Sequence, residues 1–412
     1  MSETRRFPGF SFATFLKLIF ALALLSWVAA GLDWSDRLEF VPDPLHADEK
    51  LQVEGTIAGN WRGDTIRFTV TEERTLEDAW PEELRLARSE GRALEVTARP
   101  EAQMGYEWRP GMPRIFLGAR RGPLALALGF LFLGVFFGVS RWWRILHLAG
   151  CPSTWRGTLR LTFLGLFFNL AMPGLTGGDL PKALLAVREY PERRADALAT
   201  VVIDRLVGLW ALVLLGTSMI WWRGGDFELL RMPSLAILGL LTAGLVGVLA
   251  QGPRRLLGLD RWIEKLPQGE RLKKLERAAL LYRGHPLELL GSVLLSMGNH
   301  LAVIAAIFFI GRALGDNLDF AAYVGAVPVA NLITALPISP AGWGVGEKAF
   351  GTLFDMMGAS VAIGVAISLT FRLCNVVLGL LGGFLLLLPG GDQARQVARE
   401  GQVGDLDRAP GN

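Results

Sequence analysis

Long apolar runs separated by polar punctuation set the layout of this chain. Residues 12–32, 122–142, 197–222, 289–310 and 361–388 each reach or approach the ~20 residues needed to cross a ~30 Å hydrocarbon core. Residues 234–250 and 320–336 are shorter apolar stretches that read as spans packed among the others. Between 33 and 118 the pattern changes to alternation. Leu51 and Val53, then Ile66, Phe68 and Val70, alternate with polar neighbours as half-buried strands do. Gly55, Gly59, Asn60 and Gly63 supply turns, 79–90 reads as a short helix and 93–98 as another strand.

Two apolar runs break where they should continue. Residues 161–172 meet Pro173-Gly174, then Gly177-Gly178, then Asp179 and Lys182. Residues 320–336 run into Pro337, Ser339, Gly342, Gly344 and Glu347. Proline removes a backbone donor and glycine tolerates open backbone, so helices entering lipid here are expected to break. Irregular backbone at membrane depth needs protein or a water-filled cavity around it. Both breaks are therefore candidate sites.

Charge orients these elements. Arg5 and Arg6 precede the first run and place the N-terminus in the cytoplasm. Residues 33–118 hold nearly half of the chain's Asp and Glu, which suits an extracytoplasmic domain, although Arg120-Arg121 then opposes the positive-inside tendency. Arg141-Trp142-Trp143-Arg144 reads as the interfacial end of the second span, and Asn331 and Asn375 as interhelical hydrogen-bonding groups. Basic flanks on both sides of 161–181, with Arg156 and Arg160 before and Arg188, Arg193 and Arg194 after, make that segment a hairpin dipping in from the cytoplasm. The break at 337–347 then faces it from the opposite leaflet, the arrangement that points to a transporter site. Residues 253–285 form a basic cytoplasmic segment, read equally well as lying on the anionic leaflet or as a solvated linker.

The expected fold is an all-α polytopic membrane protein with about six full spans and two oppositely oriented re-entrant or broken helical segments. A small β-rich domain is inserted after the first span. The divisions are an anchor span (1–32), the β-rich domain (33–118), the transmembrane domain (122–389) and a polar tail (390–412) in the inner (cytoplasmic) membrane. Composition agrees, at 51% hydrophobic and 20% charged. Two cysteines and four histidines without ligand spacing give no disulfide framework and no metal site. No cofactor or nucleic-acid partner is expected. Gly342 to Gly346 is not a nucleotide loop, since no strand precedes it and no Gly-Lys-Ser/Thr follows.

The residues from Asn169 to Lys182, then Asp204-Arg205 with Gly208, then Pro337 through Gly342, Gly344 and Glu347, resemble the flippase-like transmembrane family. This is the membrane region shared with lysylphosphatidylglycerol synthases, and the resemblance covers roughly 122–389. The family's Pro-Gly-x-x-Gly-Gly-Asp-x-x-Arg pattern falls on Pro173, Gly174, Gly177, Gly178, Asp179 and Lys182. Lys182 replaces Arg there, which keeps the point charge and loses the bidentate grip. The Gly-x-Gly-x-Arg-Glu pattern falls on Gly342, Gly344, Gly346 and Glu347, with Gly346 at the usual Arg position. The soluble aminoacyl-transferring domain of the synthases has no counterpart in 390–412, so the chain is not expected to be the complete lipid-modifying enzyme.

Ionisable groups inside a membrane each cost ~2.5–3.5 kcal/mol at a helix centre, so they pair or line a wet cavity. On the functional reading Lys182, Arg205 and Arg372 hold a lipid phosphate, while Asp179, Asp204 and Glu347 tune or gate them. The bland reading has Asp204 and Arg205 fastening helices, and Arg372 paired with Glu347. Asn299-His300 reads as a helix-packing contact ahead of a proton relay. The leading function is a flippase or transporter for a phospholipid or polyprenyl-linked lipid. The alternatives are a membrane-embedded transferase or accessory subunit of a separate lipid-modifying enzyme, and an envelope scaffold. No catalytic motif supports the transferase.

Overall fold

The structure is a computed structural model. It describes residues 34–40, 51–63, 65–71, 81–97, 106–171, 179–223, 225, 228–249, 285–335, 339 and 342–384, with positions 23, 26, 27 and 30 of the first apolar run. Most of it is helical.

Alternation near the N-terminus builds a five-stranded antiparallel sheet. Its strands are β1 (Asp36–Phe40), β2 (Leu51–Ala58), β3 (Thr65–Val70), β4 (Leu94–Thr97) and β5 (Glu107–Arg109), in the order β4-β3-β2-β1-β5. Leu38, Phe40, Val53, Ile57, Ile66, Phe68 and Val96 form one apolar face, and helix α1 (Glu82–Ser89) covers it with Leu84. Gly55 is required within β2, because a Cβ there would sit 2.4 Å from the Phe68 ring. The alternation at 51–70, the helix and β4 agree with the sequence expectation. β1 and β5 do not, and β1 lies second from one edge, paired with both β2 and β5.

Asp36, at the start of β1, joins this sheet to the short helix α2 (Met112–Leu117). Its Oδ2 accepts from the Ile57 N–H (2.8 Å) and from Arg114 Nε (2.7 Å), and its Oδ1 accepts from the Gly111 N–H (2.9 Å). These contacts fix α2 against the sheet.

The remaining helices are α3 (Arg121–Leu148), α4 (Trp155–Ala171), α5 (Asp179–Glu189), α6 (Arg194–Arg223), α7 (Glu228–Leu249), α8 (Pro286–Leu314), α9 (Phe320–Ala335), α10 (Val345–Met356) and α11 (Val361–Phe384). Among the described residues four helical stretches are long and apolar enough to cross a membrane: Arg121–Leu148, Pro191–Trp222, Leu287–Leu314 and Val361–Phe384. Helix α3 outruns the predicted 122–142, because nothing interrupts its backbone before Gly150, which takes the left-handed φ of +67°. The basic stretch at 253–284 lies outside the described residues.

Helices α3 and α8 pack antiparallel along their length. Arg144 Nη2 pairs with Glu288 (2.6 Å) at one end, and the Arg120 N–H donates to Ala313 O (3.0 Å) at the other. Gly134 and Gly138 of α3 lie against Asn299, and Gly298 of α8 lies against Phe137, so small residues let the two backbones approach. Asn299 therefore serves packing.

Two helical pairs open toward opposite ends of this α3–α8 axis. At the Arg144 end the start of α4 and the end of α5 meet, with Tyr190 Oη donating to Pro152 O (3.3 Å). At the Ala313 end the start of α9 meets the end of α10, where the Tyr323 and Phe354 rings stand edge to face at 5.0 Å. Residues 172–178, which follow α4 in the chain, lie outside the described residues, as do 336–338 and 340–341 after α9. One apolar core joins α8 to α11, and a second joins α3, α4, α5 and α6. Asn375 departs from its expected interhelical role. It is exposed on α11 and donates to Phe371 O (2.9 Å) one turn back in its own helix.

Candidate functional site

Asp204 sits inside α6 and is 5% exposed. A carboxylate carried to that depth needs donors on both oxygens, and two other helices supply them. Arg141 of α3 donates from Nε to Oδ1 (2.7 Å), and Lys182 of α5 donates from Nζ to Oδ2 (3.0 Å). Arg141 also donates from Nη1 to Ser296 Oγ on α8 (2.7 Å), and the Ser296 hydroxyl donates in turn to Ser292 O (2.7 Å). One carboxylate thus gathers four helices.

Glycine and aromatic neighbours shape this cluster. The Arg141 guanidinium lies on Gly208, one turn beyond Asp204, where a Cβ would approach Nη1 to 3.1 Å. Gly208 O meets His300 Nε2 at 2.8 Å. A carbonyl only accepts, so Nε2 carries the proton. Lys182 Nζ lies 3.9 Å from the centre of the Trp142 ring, whose negative face attracts a cation. That ring is fully buried and anchored by Nε1 donating to Thr200 Oγ1 (3.1 Å). Two cations share one carboxylate, which leaves a formal charge of +1 among these described residues.

A second cluster occupies the connection between α9 and α10. Gly342 and Gly344 take left-handed φ values of +68° and +79°, which favour glycine. Glu347, on the first turn of α10, is fully buried, and its Oε2 accepts from the Gly344 N–H (2.6 Å). Its Oε1 accepts from Arg372 Nε and from Ser368 Oγ (3.4 Å), both on α11. Arg372 Nη2 donates to Gly342 O (2.7 Å), and the guanidinium lies over the Trp343 ring at 4.6 Å. Gly346 leaves the necessary room, since a Cβ there would come within 2.6 Å of Arg372 Nη2. Ser339 Oγ is buried with no hydrogen-bond partner among the described residues. This cluster pairs one acid with one base and braces irregular backbone.

The sequence-predicted residues divide between these places. Lys182 and Asp204 belong to the first cluster. Glu347, Arg372, Gly342 and Gly344 belong to the second, with Ser339 in the same connection. Arg205, adjacent to Asp204, is exposed on α6. Asn169 and Asp179 lie in the terminal turns of α4 and α5, and Pro173, Gly174, Gly177, Gly178 and Pro337 lie outside the described residues. Arg141 is the member of the first cluster that sequence reasoning missed. Read only as part of the end of the second span, it is 7% exposed inside the bundle. The signal was present as a stripe: Gly134, Gly138 and Arg141 recur at i, i+4 and i+7, so Arg141 continues the face that α3 turns to α8.

No individual curated protein matches the chain. A family model described as the lysylphosphatidylglycerol synthase TM region matches residues 112–383, which takes in both clusters and excludes the sheet. The chain is a multi-pass membrane protein that belongs to this lysylphosphatidylglycerol synthase transmembrane family.

Proposed function

We propose that the chain moves a lipid with an anionic headgroup, a phospholipid or a polyprenyl-linked lipid, between leaflets through a polar cleft beside α3, α5 and α6. The observation that carries this reading is the charge balance at Asp204. Among the described residues Arg141 and Lys182 converge on one carboxylate and leave one formal positive charge where all three side chains are largely buried. Two buried cations are only partly compensated by one carboxylate, so the site favours an anion. A phosphate answers that need, and Lys182, a point charge with three donors, can give up one contact and keep another. Two helical pairs that open at opposite ends of one axis add support, because discontinuous segments approaching from both sides are how many transporters build a midplane site. On this reading they are re-entrant hairpins, the sheet lies outside the cytoplasm, and the acyl or prenyl chains stay in lipid.

Family membership ties the chain to lipid metabolism or transport. It also favours a second reading, in which the cleft presents lipid to a separate modifying enzyme. Reconstitution separates the two. Purified chain in liposomes receives labelled phospholipids and, in parallel, a labelled polyprenyl phosphate, with a membrane-impermeant quencher reporting transfer. Wild type is expected to move at least one lipid, Lys182→Met to slow it by about tenfold or more, and Lys182→Arg to retain most of it, since a charge-assisted contact contributes roughly 1.5–3 kcal/mol. Binding without transfer supports the second reading. Neither binding nor transfer by wild type rejects both.

A further inference from the structure

The sheet and the short helix α2 meet around a cavity that the Asp204 cluster does not touch. It holds about 580 Å³ and lies at the Ala313 end, between β2, the loop after it, and α2. Trp34, Asn60, Trp61, Arg62, Arg114 and Leu117 are among the residues that line it. The acid in its lining, Asp36, is already neutralised by Arg114 and two backbone N–H groups. Arg62 donates from Nη2 to Ala313 O (2.9 Å) at the end of α8, and its Nε is buried with no acceptor among the described residues. Burial, and then the charge of neighbouring Arg120, pull the Arg62 guanidinium below its ordinary pKa. Among the described lining residues, Arg62 and Arg114 against Asp36 leave one formal positive charge.

The rim is apolar and lies at the entrance to a candidate span. Leu117 is 90% exposed and Trp34 60% exposed, and α2 leads within four residues into α3. Tryptophan suits the level of lipid headgroups, and an exposed leucine there suits acyl chains. We infer that this cavity is a second anion site, one that receives the phosphate of a lipid headgroup from the leaflet at the Ala313 end, with Arg62 as its cation. A free phosphate ester shares that chemistry. Lying largely between the sheet and α2, the site stands or falls independently of Lys182.

Leu117 offers a local reporter, because Cys151 and Cys374 are buried and a Leu117→Cys side chain is the position that labels. The full-length chain in detergent carries an environment-sensitive dye there and is titrated with short-chain phosphatidylglycerol, with diacylglycerol of the same chain length, and with inorganic phosphate. The lipid phosphate is expected to give a saturable shift that diacylglycerol does not. Arg62→Gln is expected to weaken it about tenfold or more, the size of one charge-assisted contact. Since Arg62 also fastens the sheet to α8, Thr56→Glu provides a second variant. Thr56 is an exposed lining residue of β2, and a carboxylate there repels the anion without removing that contact. Lys182→Met should leave the shift unchanged. Saturation by inorganic phosphate at the same concentration assigns the site to a soluble phosphate. Equal shifts from phosphatidylglycerol and diacylglycerol, or full response in both Arg62→Gln and Thr56→Glu, overturn the site.

Discussion

Arg141 Nε and Asp204 Oδ1 lie 2.7 Å apart, and this pair joins α3 to α6 inside the bundle. The other carboxylate oxygen holds Lys182, so the pair also decides what happens to α5. The helix that carries Lys182 begins at the first sequence break. Asp204 thereby links a predicted site residue to the rigid α3–α8 axis.

Charge arithmetic ranks substitutions at this cluster. Asp204→Asn leaves two cations facing each other without a carboxylate, whereas Lys182→Met leaves the Arg141–Asp204 pair neutral. Removing one member of a buried pair typically costs about 3–5 kcal/mol. Asp204→Asn is therefore expected to lower the apparent melting temperature in detergent sharply, and Lys182→Met much less. The reverse order would mean that Lys182, and not Arg141, is the partner Asp204 depends on.

Apolar runs made most helices legible, because crossing lipid demands length and composition that soluble segments rarely have. Alternation at Val53, Ile66 and Phe68 made much of the sheet legible for a similar reason: one face had to be buried. Partner choice was harder. Asp204 meets Arg141 across 63 residues and Lys182 across 22, and no local pattern encodes either distance. Arg141 was hidden by its company, since Arg-Trp-Trp-Arg at the end of an apolar run has the composition of an interfacial anchor. The Gly344–Glu347 contact was more accessible, because an acid at the third position of a helix reaches back to its start.

Glu347 and Arg372 test whether the second cluster is a brace. Glu347→Gln leaves the Arg372 guanidinium without its carboxylate and is expected to destabilise by about 3 kcal/mol or more. Adding Arg372→Met removes the stranded charge and should recover part of that loss. Chemical denaturation of the two single variants and the double variant gives the coupling directly. Purely additive losses would show that the pair does not act as a unit.

Asp36 holds the sheet to α2 through three donors, one of them Arg114. Asp36→Asn keeps at most one acceptor oxygen and turns an amide toward the remaining donors. Leaving a buried donor unsatisfied costs about 1–3 kcal/mol. Trypsin is expected to cut faster between the sheet and α3 in this variant, while the helices beyond 121 remain protected. Unchanged cleavage would assign the junction to the Arg62–Ala313 contact instead.

Asp316, in the connection between α8 and α9, gives a pH-dependent signature. Burial pushes its carboxyl above the ordinary carboxylate value, although hydrogen bonds from Tyr323 Oη and the Leu318 N–H oppose the shift. A carboxyl raised in the folded state stabilises most while protonated. Its contribution is complete below the unfolded value of about 3.9 and is lost as pH rises through the folded one. Asp316→Asn removes the charge and keeps an oxygen that can accept from Tyr323. The variant should therefore melt higher than wild type near neutral pH, and the difference should close as pH falls toward about 4. A wild type that gains on the variant as pH rises would mean that the ionised carboxylate, held by Tyr323 and Leu318, is the stabilising form.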